Sequence, residues 1–123
     1  LMECETLYFV ESMLMLKELG IDASEFIATG GGAKSNAWLQ IKADIFGIPF
    51  VRPKIVEAGT LGAAILAGLA TGVLSSPQEA VACFVKQDRR FEPNLTHHAI
   101  YQEKYAQYAQ LYPALKHLLG RRL

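Results

Sequence analysis

The stretch ATGGGAKS at residues 28–35 decides how this chain is read, because three consecutive glycines between an apolar segment and a helical pattern mark a backbone open to close approach. It superficially matches a P-loop, G-x-x-x-x-G-K-[ST]. That motif needs glycine where a Cβ would intrude on a phosphate, and here those two positions carry Ala28 and Ala33. The dinucleotide fingerprint G-x-G-x-x-G fails as well: from Gly30 it finds Gly32 and then meets Ser35 in place of the third glycine. A glycine turn remains, with two readings. It closes a tight strand-to-helix connection and nothing more, or it lends unpaired backbone N–H groups and the positive end of a helix dipole to a nucleotide.

The residues on either side of the turn read as strands and helices. EFIAT (25–29) is short and apolar, the pattern of a buried strand. Ahead of it, from Cys4 to Leu19, apolar residues fall on two stripes, Leu7-Val10-Leu14 and Phe9-Met13-Leu16, so this helix is expected to pack on two sides and to end at Gly20. Downstream, SNAWLQIKADIFG (35–47) restores helical spacing, with Trp38, Ile41 and Ile45 on one face, Ser35 or Asn36 as cap and Gly47 as terminator. IPFV (48–51) is a second short strand closed by Arg52-Pro53, because proline cannot donate within a sheet.

EAGTLGAAILAGLATG (57–72) predicts a buried helix with an apolar row, Leu61-Ile65-Leu69, and a small row, Gly59-Ala63-Ala67, that lets another backbone come close. A short helix from Pro77 and an extended VKQDRRFEP (85–93) follow. The terminal helix carries a seam, Tyr101-Tyr105-Tyr108-Tyr112-Leu115-Leu119, that Pro113 should kink or split. The pattern is α/β and helix-rich.

A chain of 123 residues suits one domain, able to bury roughly two-thirds of its unfolded surface. With 51% apolar residues and 12 acidic against 12 basic side chains, it has the composition of a soluble globular protein and no broad electrostatic reason to bind nucleic acid or an anionic membrane. The basic pairs Arg89-Arg90 and Arg121-Arg122 read as solvated surface. Leu61 to Ala70 is too short to span a bilayer, which takes about 20 residues. Cys4 and Cys83 follow no metal spacing and accompany no secretory signal, which favours a reduced, cytoplasmic setting.

Other chemistry-bearing residues read as structural. Lys34 lacks P-loop glycines and reads as a solvated lysine; Glu57 precedes a helix and suits its dipole. Asp44 has no partner acid nearby in sequence. His97, His98 and His117 make no metal-ligand spacing and read as surface residues, and the tyrosine seam reads as packing.

Taken together, the G-G-G-A-x-S turn, the W-x-Q-x-x-A-D-x-x-G-x-P helix and strand, and the E-x-x-x-L-G-A-A-x-x-A-G helix closely resemble the nucleotide-binding half of the FGGY carbohydrate kinases. The flanks, from LKELG to RRFEPN and the tyrosine-rich helix, are similar to that family too. The resemblance implies an actin-like, ribonuclease-H-like fold and phosphorylation of a sugar or polyol by ATP with Mg2+. Residues 1–123 correspond to the C-terminal part of the second, ATP-binding domain. Gly31 and Gly32 then let the backbone approach the nucleotide, and Asn36 contacts the adenine side, its amide being able to donate and accept. A simple helix cap is the other reading of Asn36. The Leu61–Ala70 helix corresponds to the hinge between the family's domains. The catalytic aspartate, sugar pocket and first phosphate loop of the family lie upstream, so no catalytic and no metal-binding residue is assigned here.

The chain opens directly into helical pattern without a methionine and reads as a piece of something longer, inert by itself. A xylulokinase-like pentulose kinase is the preferred parent on overall texture. The expected partners are ATP or ADP, and the sugar through the missing N-terminal part; a homo-oligomer stays open. The alternative is a non-catalytic interaction module of the same fold. An ATP-binding chaperone or cytoskeletal protein of the superfold is disfavoured by how closely the two helices after the turn follow the kinase pattern.

Overall fold

Helix α1 (Met2–Glu18) owes its packing to one of its two stripes. Thr6, Leu7 and Val10 are buried, whereas Phe9, Leu14 and Leu16 stay exposed, so the helix packs on one side and not two. The reason lies in its neighbours. Among the described residues, only α2 (Asn36–Phe46) and the tyrosines of α5 (Leu95–Tyr108) close over it, and both meet the Leu7-Val10 edge. The computed structural model describes residues 1–119; Arg121 and Arg122, and the side chain of Leu119, lie outside the described residues.

Three short strands make one sheet in the order β1 (Phe26–Ile27), β2 (Phe50–Pro53), β3 (Gln87–Phe91). Strand β1 runs parallel to β2 with Phe26 opposite Phe50, and β3 runs antiparallel with Phe91 opposite Phe50. EFIAT was expected to be a buried strand, yet only two of its residues pair and Ile27 is 64% exposed. As the edge strand, β1 is covered by α2 on one face alone. Strand β2 starts two residues later than IPFV suggests and takes in Arg52 and Pro53, because β3 supplies a partner that local sequence does not reveal. The irregularity falls between Arg52 and Pro53, where the missing N–H breaks the ladder.

The main core lies between sheet and α2: Ala28, Ala33, Leu39, Ala43, Phe50 and Phe91, with Phe26, Phe46 and Val56 packed against it. Phe26, Phe46 and Phe50 form a triangle with ring centroids 5.1–5.8 Å apart. Each such pair adds about 0.5–1.5 kcal/mol beyond simple burial. A second cluster joins Leu7, Val10 and Ile45 to Tyr101, Tyr105 and Tyr108, so the first half of the tyrosine seam packs as expected. Tyr112 and Leu115 of α6 (Leu111–Leu119) remain exposed. The break between α5 and α6 at Ala109-Gln110 stands up to four residues ahead of Pro113, where the ring removes an N–H and crowds the carbonyl of residue 109.

Helix α3 (Ala58–Ala70) departs most from its sequence reading: none of its residues is buried. Its small row is exposed, and a Cβ on Gly59 would meet nothing within 4 Å among the described residues. Its close neighbour is α4 (Pro77–Phe84), which Ser76 caps by accepting from the Glu79 N–H at 3.1 Å.

Candidate functional site

The turn after β1 is built in three steps. Gly30 adopts φ +77°, where an L side chain is strained, and donates its N–H to Val56 O at 2.7 Å. A single 3-10 turn, Gly31–Lys34, follows and drives Ala33 into the core. Ser35 then turns extended, and its Oγ accepts from Trp38 N at 3.2 Å to start α2. Ser35 is therefore the cap, and the helix-cap reading of Asn36 is set aside.

The three glycines answer to three different needs. Gly30 serves the backbone angle. At Gly32 a Cβ would stand 3.0 Å from Cζ3 of the Trp38 ring, so this glycine admits the indole. Gly31 has neither demand: its φ is ordinary, and a Cβ would meet nothing within 4 Å. Its N–H and that of Gly32 open the 3-10 turn and have no acceptor among the described residues.

Asn36 is exposed at the first position of α2, five residues past Gly31, with its Oδ1 accepting from Arg52 Nη1 at 2.8 Å. Arg52 also donates from Nη1 to Ala33 O at 3.3 Å and from Nε to Asp88 Oδ2 at 2.7 Å. Its side chain is only 16% exposed and lies over the Phe91 ring. Sequence reading gave Arg52 no role beyond the end of a strand. The signal was absent locally, since its partners come from 16, 19 and 36 residues away. Lys34 pairs with Glu57 at 2.8 Å with both side chains more than half exposed, a contact worth under about 1 kcal/mol. Glu57, expected to serve the α3 dipole, is its N-cap residue without a side-chain cap bond.

Away from the turn, Asp44 is a hub. Its side chain is 5% exposed; Oδ1 accepts from Gln40 Nε2 and from Asn94 N, both at 2.8 Å, and Oδ2 from His97 Nδ1 at 2.9 Å. Burial alone would push this carboxyl up, but the hydrogen bonds from Asn94, His97 and Gln40, with the His97 charge, hold it below the usual carboxylate range. His98 donates from Nδ1 to Asp44 O at 2.9 Å, and its ring lies where a Cβ on Gly47 would sit. These histidines were expected on the surface. His97 keeps 57% exposure, but both act as clasps between α5 and α2. Both partners are acceptors, so each ring carries its proton on Nδ1. Cys4 and Cys83 are free and exposed. No group of three metal-ligating side chains exists among the described residues. No described helix is long and apolar enough to cross a membrane.

A glycine turn entering a capped helix, with an exposed amide beside it, is a place in this α/β chain where an anion could meet backbone N–H groups and the positive end of a helix dipole. The chain belongs to the FGGY family of carbohydrate kinases: the model of that family's C-terminal domain matches residues 5–71. Its three-stranded sheet and helices are the helix-rich C-terminal part of the actin-like, ribonuclease-H-like fold. It is 37% identical over 108 residues to a xylulose kinase of Staphylococcus epidermidis, covering 88% of this chain and 22% of that protein. A glycerol kinase of Nitratidesulfovibrio vulgaris is 44% identical over 92 residues, covering 72% and 18%. The crystal structure of ligand-bound xylulose kinase from Lactobacillus acidophilus superimposes with a TM-score of 0.70 at 33% identity, over 82% of this chain and 20% of that one. The chain thus spans about a fifth of the length of the relatives it matches.

Proposed function

We propose that residues 1–123 are the C-terminal part of the ATP-binding domain of a sugar kinase, which in complete form transfers the γ-phosphoryl of MgATP to a sugar or polyol hydroxyl. The observation that carries this reading is Gly31: a residue without a Cβ, for which the described residues give no reason, at the head of a turn whose first N–H groups have no acceptor among them. A phosphate-bearing ligand would supply the reason. Gly31 and Gly32 would let the nucleotide approach the backbone, and Asn36 would meet the base.

Phosphoryl transfer also needs an acceptor-orienting base and charge neutralisation around the γ-phosphate. Mg2+ supplies the latter when bound. In this proposal the nucleotide phosphates and residues of the complete kinase hold it. This chain alone is inert in the proposal, because the resemblance puts the acceptor-orienting base and the sugar pocket in the upstream part of the complete kinase. A pentulose is the preferred acceptor on overall sequence texture, with a xylulose kinase among the relatives matched.

A second reading, a non-catalytic module of the same fold, is favoured by the internal partners of Gly32 and Asn36. An amide-resolved NMR titration with MgADP separates the two. Saturable shifts confined to residues 29–36, and weakened by Asn36→Ala, are expected. Their absence in both this chain and the complete kinase would remove the nucleotide, and sugar phosphorylation by this chain alone would remove the claim of inertness.

A further inference from the structure

Asn36 has two chemically opposite ends, a donor NH2 and an acceptor oxygen, and a ligand would meet a different one depending on how the amide is turned. A guanidinium carries five donors and no acceptor, so only the oxygen end of an amide can face it. Arg52 Nη1 stands 2.8 Å from Asn36 Oδ1. The guanidinium is itself fixed: Nε is held at 2.7 Å by Asp88 of the neighbouring strand, the side chain lies over Phe91, and Nη1 also reaches the Ala33 carbonyl at 3.3 Å. One side chain thus ties the end of the glycine turn, the start of α2 and the sheet to a common point.

We propose that Arg52 is the positioning residue of the nucleotide site, holding the Asn36 amide with its oxygen inward so that the Nδ2 hydrogens face the base. Asn36 then acts as a donor that selects a ring-nitrogen acceptor on the purine. Its rotamer and flip are ordered before the ligand arrives, which removes a cost otherwise met on binding. The proposal rests on the nucleotide reading above.

Two readouts on the isotope-labelled 123-residue chain test it. Without nucleotide, the Asn36 side-chain NH2 resonances should differ from those of a free amide and move to free values in Arg52→Met, with the β3 backbone signals retained. An unchanged amide pair would overturn the proposal. With MgADP, Arg52→Met should weaken binding about tenfold, and the double variant with Asn36→Ala should bind no worse than Asn36→Ala alone, the mark of two residues acting as one unit. Additive losses would overturn the positioning role and leave the nucleotide reading standing. Failure of both the unaltered chain and the complete kinase to bind would overturn the reading, and the inference with it; if only the complete kinase binds, the same cycle is run there. Should the methionine variant unfold, Arg52→Lys, which keeps the charge but not the fork, replaces it in the same cycle.

Discussion

Gly30 and Gly31 are neighbours with opposite sensitivities. Gly30→Ala forces a Cβ onto φ +77° and should cost about 1–2 kcal/mol in thermal or urea unfolding. Gly31→Ala, facing open space, should stay within about 0.5 kcal/mol of the parent while weakening ADP binding, so a calorimetric pair of stability and affinity separates their roles. Asp44 makes a third case. Asp44→Ala would leave the Asn94 N–H, the Gln40 amide and His97 without their acceptor, at roughly 3 kcal/mol. Its carboxyl titrates lower folded than unfolded, so its stabilisation is present above about pH 3.9 and is lost as pH falls through the folded value. Acid unfolding followed by circular dichroism should therefore flatten in Asp44→Asn at the low-pH end.

At the scale of elements, helices whose partners are adjacent in pattern were legible: α1, α2 and α4 follow from spacing, Ser35, Ser76 and the terminal Gly47. What failed to show was anything needing a remote partner. The register of β2 depends on β3, the clasp of α5 depends on Asp44, and Arg52 depends on three separate segments. At the turn, sequence and resemblance singled out Gly31, Gly32 and Asn36; that Gly32 also makes room for Trp38 took coordinates. The burial of α3 was misjudged because apolar content says what a helix would cover, not whether the cover lies within the chain. Its amides should accordingly exchange ahead of those of α2, whose Leu39, Ala43 and Ile45 are buried, when followed by hydrogen exchange. The α1–α5 clasp has its own signature. Tyr101 donates to Glu3 Oε1 at 2.6 Å, and burial, then that bond, push its phenol up to about 12. A raised value means stabilisation complete below the unfolded value near 10 and lost as pH rises toward 12. Absorbance titration should find Tyr101 and Tyr105 late, both raised first of all by burial, and Glu3→Gln should advance Tyr101.

Across the molecule, apolar surface stays uncovered on the outer stripe of α1, on α6 and beside α3. Ile27, Ile55 and Leu66 are exposed around the sheet face and α3, and an open apolar groove of about 250 Å³ runs between Ile27, Pro53, Leu61 and Val85. Exposed apolar surface of this kind seeks a partner. Sedimentation of the 123-residue chain should show concentration-dependent association, and Leu66→Glu should reduce it without altering the melting temperature, since Leu66 is 68% exposed. The hydrogen bond between Glu3 and Tyr101 has a further consequence, in time rather than space. It joins residues 98 positions apart, and among the described residues α2 and the tyrosines of α5 are the lid of the Leu7-Val10 edge of α1. Synthesis runs from α1 towards α5, so closure by these tyrosines waits until α5 has been synthesised; contacts this distant along the chain make for slow folding. The order of synthesis therefore leaves the Leu7-Val10 edge of α1 with α2 as its cover until the tyrosines of α5 arrive.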